Sequence, residues 1–341
     1  MNGILIAAVL VLAVLAVIQI VRIYELSSVI REEDTALPTP EDNDRQGFWM
    51  LVFGIAFIAS FFAMMYAWMP DTLGLPASEH GPQYDNLWDI SMGIIIVMFL
   101  IVQPVLFYFA YRYRGTAGRK ASYFEHNNKL ELVWTVVPAV ILAVLILYGL
   151  STWSTIMNPS KENEPIVVEL YAQQFKWTAR YAGKDNDLGN ANVRLIAGTN
   201  ALGVDTLDAK SADDQVTPEM YLPVGRPVLF KFRSQDVIHS AYMPHFRAQM
   251  NCVPGVPTQF QFTPTVTTAD MRKDADMVAK VERINAVRAK AGKEPYVFDY
   301  LILCNKICGA AHYNMQMPIV VVSEEEYAAW IKEQKTVAET L

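Results

Sequence analysis

The sequence predicts membrane-spanning helical hairpins followed by an all-β domain, and three observations carry that reading. Four apolar runs, at about 3–22, 48–69, 90–111 and 132–151, are long enough to cross a bilayer, which takes roughly 20 residues. From 164 to 323 the pattern changes to short runs rich in β-branched and aromatic residues, punctuated by Pro165, Pro223, Pro257 and Pro318. Composition agrees: 52% of the 341 residues are hydrophobic, 18% are charged, and the mean hydropathy is positive, which is too apolar for an ordinary soluble chain.

Taken in order, the first run resembles a secretory leader. Its apolar stretch is longer than a leader's hydrophobic region, however, and no basic segment precedes it. We expect it to be retained as a span. Loop charge orients the spans. The 112–129 loop holds Arg112, Arg114, Arg119, Lys120 and Lys129 against Glu125, whereas the 70–88 loop has Asp71, Glu79 and Asp85 with no lysine or arginine. The positive-inside rule puts the first on the cytoplasmic side and the second outside. Both termini and everything after 151 are then external. Six strands are expected, at 166–171, 174–181, 228–232, 258–262, 296–303 and 319–322, and many short strands make a sandwich or barrel. Residues 265–294 interrupt them with a charged stretch in which Met277, Val281, Ile284 and Val287 or Arg288 recur at helical spacing. We read it as a solvated amphipathic helix packed on the β domain. Ser323-Glu324-Glu325-Glu326 is a capping box for a last helix to about Lys335.

The net charge of −7 argues against nucleic-acid binding and leaves room for a basic protein partner. Three cysteines, unevenly placed, do not make a disulfide framework. Cys252 reads as a buried small hydrophobe. No Cys-x-x-Cys-His pattern is present, so the chain carries no c-type haem of its own.

The chemistry concentrates in Cys304-Asn305-Lys306-Ile307-Cys308-Gly309-Ala310-Ala311-His312-Tyr313-Asn314-Met315. Two thiols, an imidazole and a thioether lie within one short segment, and soft sulfur ligands with imidazole suit copper. A second imidazole comes from His239, in Asp236-Val237-Ile238-His239-Ser240 at the end of an apolar alternating run. Two thiolates on one loop are able to bridge two metal ions. A disulfide or a zinc knuckle is the simpler alternative, although closed zinc sites use four Cys/His ligands and leave Met315 without a role.

This segment resembles the binuclear copper (CuA) loop of subunit II of haem–copper cytochrome c oxidases, and the resemblance runs from about 88 to 323. It implies a cupredoxin-like Greek-key β-barrel. It also implies copper ligands at His239, Cys304, Cys308, His312 and Met315, with the backbone carbonyl of Lys306 completing the set. Met317, directly before Pro318, is a rival to Met315, but the spacing from His312 favours Met315. His245 and His80 match no ligand of that family and read as surface histidines. Glu131, in Glu131-Leu132-Val133-Trp134-Thr135-Val136-Val137-Pro138, stands where the family places a carboxylate at the mouth of a proton channel. The plainer reading of Glu131 is an acid favoured at a helix N-terminus.

Two departures stand out. Lys306 replaces a glutamate whose side chain binds a magnesium ion shared with subunit I, so that magnesium site is in doubt. In Gln174-Phe175-Lys176-Trp177, Phe175 replaces the tryptophan through which the family receives electrons. Trp177 matches the next tryptophan and serves as core or as electron port, with core the stronger reading.

The resemblance thus implies the electron-transfer subunit of a terminal oxidase in a membrane, expected to be a bacterial inner membrane with the copper domain on the periplasmic side. Electrons would come from a c-type cytochrome, diffusing or held in a supercomplex, and pass through two coppers to haem in subunit I. Oxygen reduction and proton pumping would follow there. The expected domains are 1–47 with the first span and a cytoplasmic loop, 48–155 with three further spans, 156–323 with the copper domain and its 265–294 insertion, and 324–341 as a C-terminal helix. Two alternatives remain: a membrane-tethered copper-delivery protein, and a quinol oxidase subunit II, a class that lacks the cysteines.

Overall fold

The computed structural model describes residues 2–30, 38–69, 72, 74–158 and 164–341. Four long helices come first: α1 (Asn2–Ile30), α2 (Pro40–Trp68), α3 (Gly81–Arg112) and α4 (Asn128–Met157). α1, α3 and α4 overrun their apolar runs at both ends, and α2 begins well before its own. The 29 residues of α2 rise about 43 Å, close to the ~40–45 Å of a bilayer with its headgroups. Among the described residues, α2, α3 and α4 are long and apolar enough to cross a membrane. The expected span at 3–22 lies within α1, but the side chains of its residues 2–10 are outside the described residues. Thr39 starts α2 by accepting from the Asp42 N–H at 3.1 Å, while the Asp42 carboxylate accepts from the Thr39 N–H at 3.3 Å. This reciprocal cap satisfies two otherwise orphaned amides.

The chain divides into two compact units. One comprises residues up to 64 together with 96–127. Within it, α2 and α3 meet through rings, with Phe61 and Phe99 at 4.7 Å and Phe53 and Phe107 at 5.7 Å. Gly54 is needed there, because any Cβ would collide with Phe107.

The other unit holds 65–95 and 128–341. Its strands, in chain order, are β1 (Ile166–Gln173), β2 (Lys176–Tyr181), β3 (Gln215–Thr217), β4 (Met220–Pro223), β5 (Val228–Ser234), β6 (His239–Met243), β7 (Ala248–Cys252), β8 (Thr258–Phe262), β9 (Tyr300–Cys304) and β10 (Gln316–Val322). They form two five-stranded sheets, ordered β3-β2-β1-β5-β8 and β4-β10-β9-β6-β7. Both are mixed, because β1 runs parallel to β5 and β4 to β10. Strand β5 alternates as a half-buried strand should, with Val228, Phe230 and Phe232 turned into the core. Phe246, Phe262 and Tyr300 fill the space between the sheets.

Strand β1 is buried on both faces. Its Val168, Leu170 and Ala172 join the main core, while Tyr171 packs with Leu202, Val204 and Val337 in a second cluster. The long connection between β2 and β3 lies over this outer face. It is fastened by Arg180, 1% exposed, which pairs with Asp214 and with Glu169 at 3.3 Å and donates to the Gly189 carbonyl at 2.6 Å. A buried charge needs such partners. Burial pushes the Asp214 carboxyl up to about 6, against the pull of Arg180.

The expected insertion helix is two helices, α5 (Thr268–Met271) and α6 (Ala275–Lys290). The break falls where Asp274 caps α6 by accepting from the Met277 N–H at 3.0 Å. Met277, Val281, Ile284 and Arg288 make the covered stripe, and Val287 is exposed. Strand β9 starts at Tyr300 rather than 296, because the Asn285 side chain of α6 takes both the N–H and the C=O of Tyr296. The capping box forms as expected and opens α7 (Glu324–Glu333), followed by α8 (Val337–Thr340). Trp330 of α7 stacks on Tyr221 of β4, centroids 4.5 Å apart.

Candidate metal centre

The two parts of the motif meet because β6 and β9 are antiparallel neighbours with Ala241 opposite Cys304. His239 opens β6 and Cys304 closes β9, so His239 starts a strand instead of ending one. The loop between β9 and β10 is drawn tight at its base: the Cys304 N–H donates to the Met315 carbonyl at 3.1 Å, and Asn305 N–H to the Ser240 carbonyl at 3.0 Å.

Six ligand atoms converge on this loop. The sulfurs of Cys304 and Cys308 are 3.8 Å apart and unbonded. Beside Cys304 Sγ lie His239 Nδ1 at 3.8 Å and the Lys306 carbonyl oxygen at 3.1 Å. Beside Cys308 Sγ lie His312 Nδ1 at 3.6 Å and Met315 Sδ at 3.7 Å. Each thiol therefore has its own imidazole and its own weaker ligand. His239 and Met315 are almost wholly buried, as is Cys308. Met317 is also buried, but it sits within β10 in register with Ile302. Burial, then the neighbouring Cys304, push the Cys308 thiol up to about 11. A metal binding here must therefore displace protons.

Behind the ligands stands Asp236. Its Oδ1 is 2.8 Å from His239 Nε2, and its Oδ2 accepts from the Gln174 N–H at 2.7 Å. Burial raises the Asp236 carboxyl, but the Gln174 amide and the His239 ring outweigh it and hold it below the usual value. The Gln174 side chain in turn donates to the Cys308 carbonyl. The next residue, Phe175, covers Gly309: a Cβ there would come within 2.8 Å of the Phe175 ring. Gly309 also has φ 140°, which disfavours any side chain. Sequence reasoning missed Asp236, Gln174 and Gly309; an acid three residues before a ligand histidine was the available signal.

The remaining candidates are placed as follows. Trp177 is buried, its ring 6.1 Å from that of His239 and its indole N–H without a partner among the described residues. Phe175 is partly exposed. Cys252 is fully buried in register with His239, and burial pushes its thiol up to about 12. Glu131 lies in the first turn of α4. His80 and His245, expected at the surface, are half-buried. His80 packs edge-on against Phe260 with Nε2 at 3.2 Å from the Arg247 carbonyl oxygen. His245 is walled by Phe298 and Tyr300. Both were drawn in by long-range packing that their sequence neighbours do not signal.

The ligand set fits copper. Two thiols, two imidazoles, a thioether and a carbonyl exceed what a closed four-ligand zinc site uses. The transmembrane-domain model of cytochrome c oxidase subunit II matches residues 68–152. The alternative cytochrome c oxidase subunit 2 of Bradyrhizobium diazoefficiens is 33% identical, over 77% of this chain and 84% of that protein. Cytochrome c oxidase subunit 2 of Thermostichus vulcanus is 26% identical, over 77% of this chain and 78% of that protein. The periplasmic domain of a Bradyrhizobium japonicum subunit II is a structural neighbour, 20% identical over 52% of this chain and 95% of that domain, but its TM-score of 0.30 gives it no weight. Helices and β domain together thus describe a membrane-bound component of a haem–copper oxidase, an oxidoreductase. The chain belongs to the cytochrome c oxidase subunit II family. Its β domain is accordingly a cupredoxin-like barrel built of two mixed sheets.

Proposed function

We propose that this chain accepts electrons from a c-type cytochrome at a binuclear copper site and passes them to haem in subunit I, where oxygen is reduced and protons are pumped. The grouping of six ligand atoms around two thiols carries the reading. His239, Cys304, Cys308, His312, Met315 and the Lys306 carbonyl would hold the two ions. When bound, copper here would supply one-electron transfer.

The protein's own part is to hold these groups still. Asp236 takes the Nε2 proton of His239 as a hydrogen bond, which leaves Nδ1 directed at the thiols. Burial of Cys308 and Met315 excludes water from one side of the cluster. Trp177 is assigned to the core, and Phe175 stands at the position of the usual electron port. The donor therefore docks differently from that of other members, or is held in a larger respiratory assembly. Glu131 is assigned to proton uptake. The β domain is assigned to the periplasmic side of a bacterial inner membrane, after the spans of 1–47 and 48–155. Lys306 in place of an acid argues against a shared magnesium ion. A copper-delivery role would call for exposed, exchangeable ligands, whereas His239, Cys308 and Met315 are enclosed.

The test is EPR of the purified oxidase. A mixed-valence signal from a coupled copper pair is expected. A four-line mononuclear signal would overturn the reading.

A further inference from the structure

Arg247 has a backbone that side-chain-bearing residues avoid and a side chain that is almost wholly enclosed. Its φ is 52°, a conformation that persists in a non-glycine residue only when the surroundings over-determine it. Those surroundings are visible. Arg247 Nε donates to Asp85 Oδ1 at 2.8 Å, and Nη2 donates to Asp85 Oδ2 at 2.8 Å. Nη2 also donates to the Gly74 carbonyl at 2.8 Å, and Nη1 to the Pro244 carbonyl at 3.3 Å. The guanidinium is 5% exposed and the Asp85 carboxylate 32%. Most exposed ion pairs contribute little. This one is bidentate and largely enclosed, a geometry that fixes direction as well as distance and that lysine does not reproduce.

The pair joins two places that matter to the copper cluster. Asp85 lies in the first turns of α3. Arg247 lies in the turn between β6 and β7, and β6 carries His239 at its far end. Around the pair, the segment leading into α3 is stitched to the barrel. Ala77 N–H donates to the His245 carbonyl at 2.7 Å, Glu79 N–H to Thr263 at 3.0 Å, and Thr265 N–H to Ala77 at 2.9 Å. The Ser78 hydroxyl donates to the Phe246 carbonyl at 2.7 Å. Ala77 itself is part of the barrel core.

We propose that Arg247 is a positioning residue for electron transfer: through Asp85 it fixes the β6–β7 hairpin, and with it His239, to the outer end of α3. The proposal rests on the copper reading above. Electron transfer falls steeply with distance. A copper cluster carried on a domain outside the bilayer must therefore be held at constant distance from an acceptor inside it.

The test uses the whole purified oxidase and three variants. Asp85→Asn removes the charge and keeps the shape. Arg247→Lys keeps the charge and removes the fork. Arg247→Gly removes the side chain and relieves the backbone. Three quantities are measured: the copper spectrum, amide hydrogen exchange over residues 74–80, and the rate of electron transfer from copper to haem after rapid photoreduction. We expect an unchanged copper spectrum, faster exchange, and intersite transfer slowed several-fold. Arg247→Lys should fall between wild type and Arg247→Gly. If Arg247→Gly does not assemble, Asp85→Asn decides. A wild-type intersite rate in Asp85→Asn, or an altered copper spectrum in it, would overturn the proposal alone. A wild-type oxidase without a copper signal would overturn the underlying reading and the proposal with it.

Discussion

Two histidines bracket strand β6, and they live in opposite chemistry. His239, at its start, has the Asp236 carboxylate 2.8 Å behind Nε2 and the Cys304 thiol 3.8 Å in front of Nδ1. His245, just past its end, meets Phe298 edge-on at 5.0 Å and Tyr300 at 5.7 Å, and its Nε2 is buried with no partner among the described residues. Both rings are withdrawn from water. What differs is the group behind the ring. A carboxylate directs one nitrogen forward and makes it a better ligand. Burial without a carboxylate behind it favours the neutral ring, and burial, then Arg247 and Lys280, push His245 down to about 4.

Removing a ligand is the harshest way to probe the first environment. Cys308→Ser is expected to abolish the visible copper spectrum of the oxidase. A wild-type spectrum after that change would mean that the cluster is held by other residues.

The second environment is best probed with pH. His245 binds its proton less readily in the folded chain than in the unfolded one, whose ring titrates near the ordinary value of about 6.5. Between that value and about 4 the unfolded state holds more protons, so stability rises with pH across this window. The contribution is fully present above the unfolded value and is lost as pH falls through the window, by up to about 3 kcal/mol. His245→Phe should flatten this acid limb of the Tm-against-pH curve. An unchanged limb would show that other groups drive it.

A milder cut leaves His239 in place and removes the charge behind it. Asp236→Asn is expected to weaken copper binding by about 10- to 100-fold, measured by competition with a chelator. Affinity equal to wild type would reduce Asp236 to a tether for Gln174.

The smallest effects should separate the two methionines. Met315→Leu is expected to shift the copper reduction potential, because its sulfur is 3.7 Å from Cys308 Sγ. Met317→Leu should leave the potential alone and cost less than about 1.5 kcal/mol of stability, as volume-conserving core swaps do. The reverse ranking in redox titrations would transfer the role to Met317.

These contrasts mark what the sequence made legible. The copper loop is local: its cysteines, His312 and Met315 lie within one segment, so spacing alone exposes them. His239 lies 65 residues upstream of Cys304, so the sequence offered it as a second imidazole, and the resemblance gave it a ligand's place. Strands with β-branched or aromatic runs, such as Val228–Ser234 and Thr258–Phe262, were found in place. Ala248–Cys252 and Gln215–Thr217 were not. They are short and carry few strand-favouring residues, and they exist because a neighbour pairs with them. The burial of Arg180 and Glu169 was equally hidden. On an exposed sheet face, alternating charges are unremarkable; here the chain between β2 and β3 returns over that face and shuts water out.

The order of the strands bears on how the protein is made. Sheet β4-β10-β9-β6-β7 has β9 and β10 at its middle, yet these two strands follow every other strand along the chain. As the polypeptide emerges, the first sheet has all five of its strands, while β4 and the β6–β7 hairpin wait with a gap between them. The loop with Cys304 and Cys308 lies between the two latecomers, and Trp330 seals the seam at Tyr221 only after both have docked. Domains fold as units during synthesis, so His239 stays without its sulfur partners until this last insertion. A metal at this site therefore finds its full ligand set only after β9 and β10 have docked.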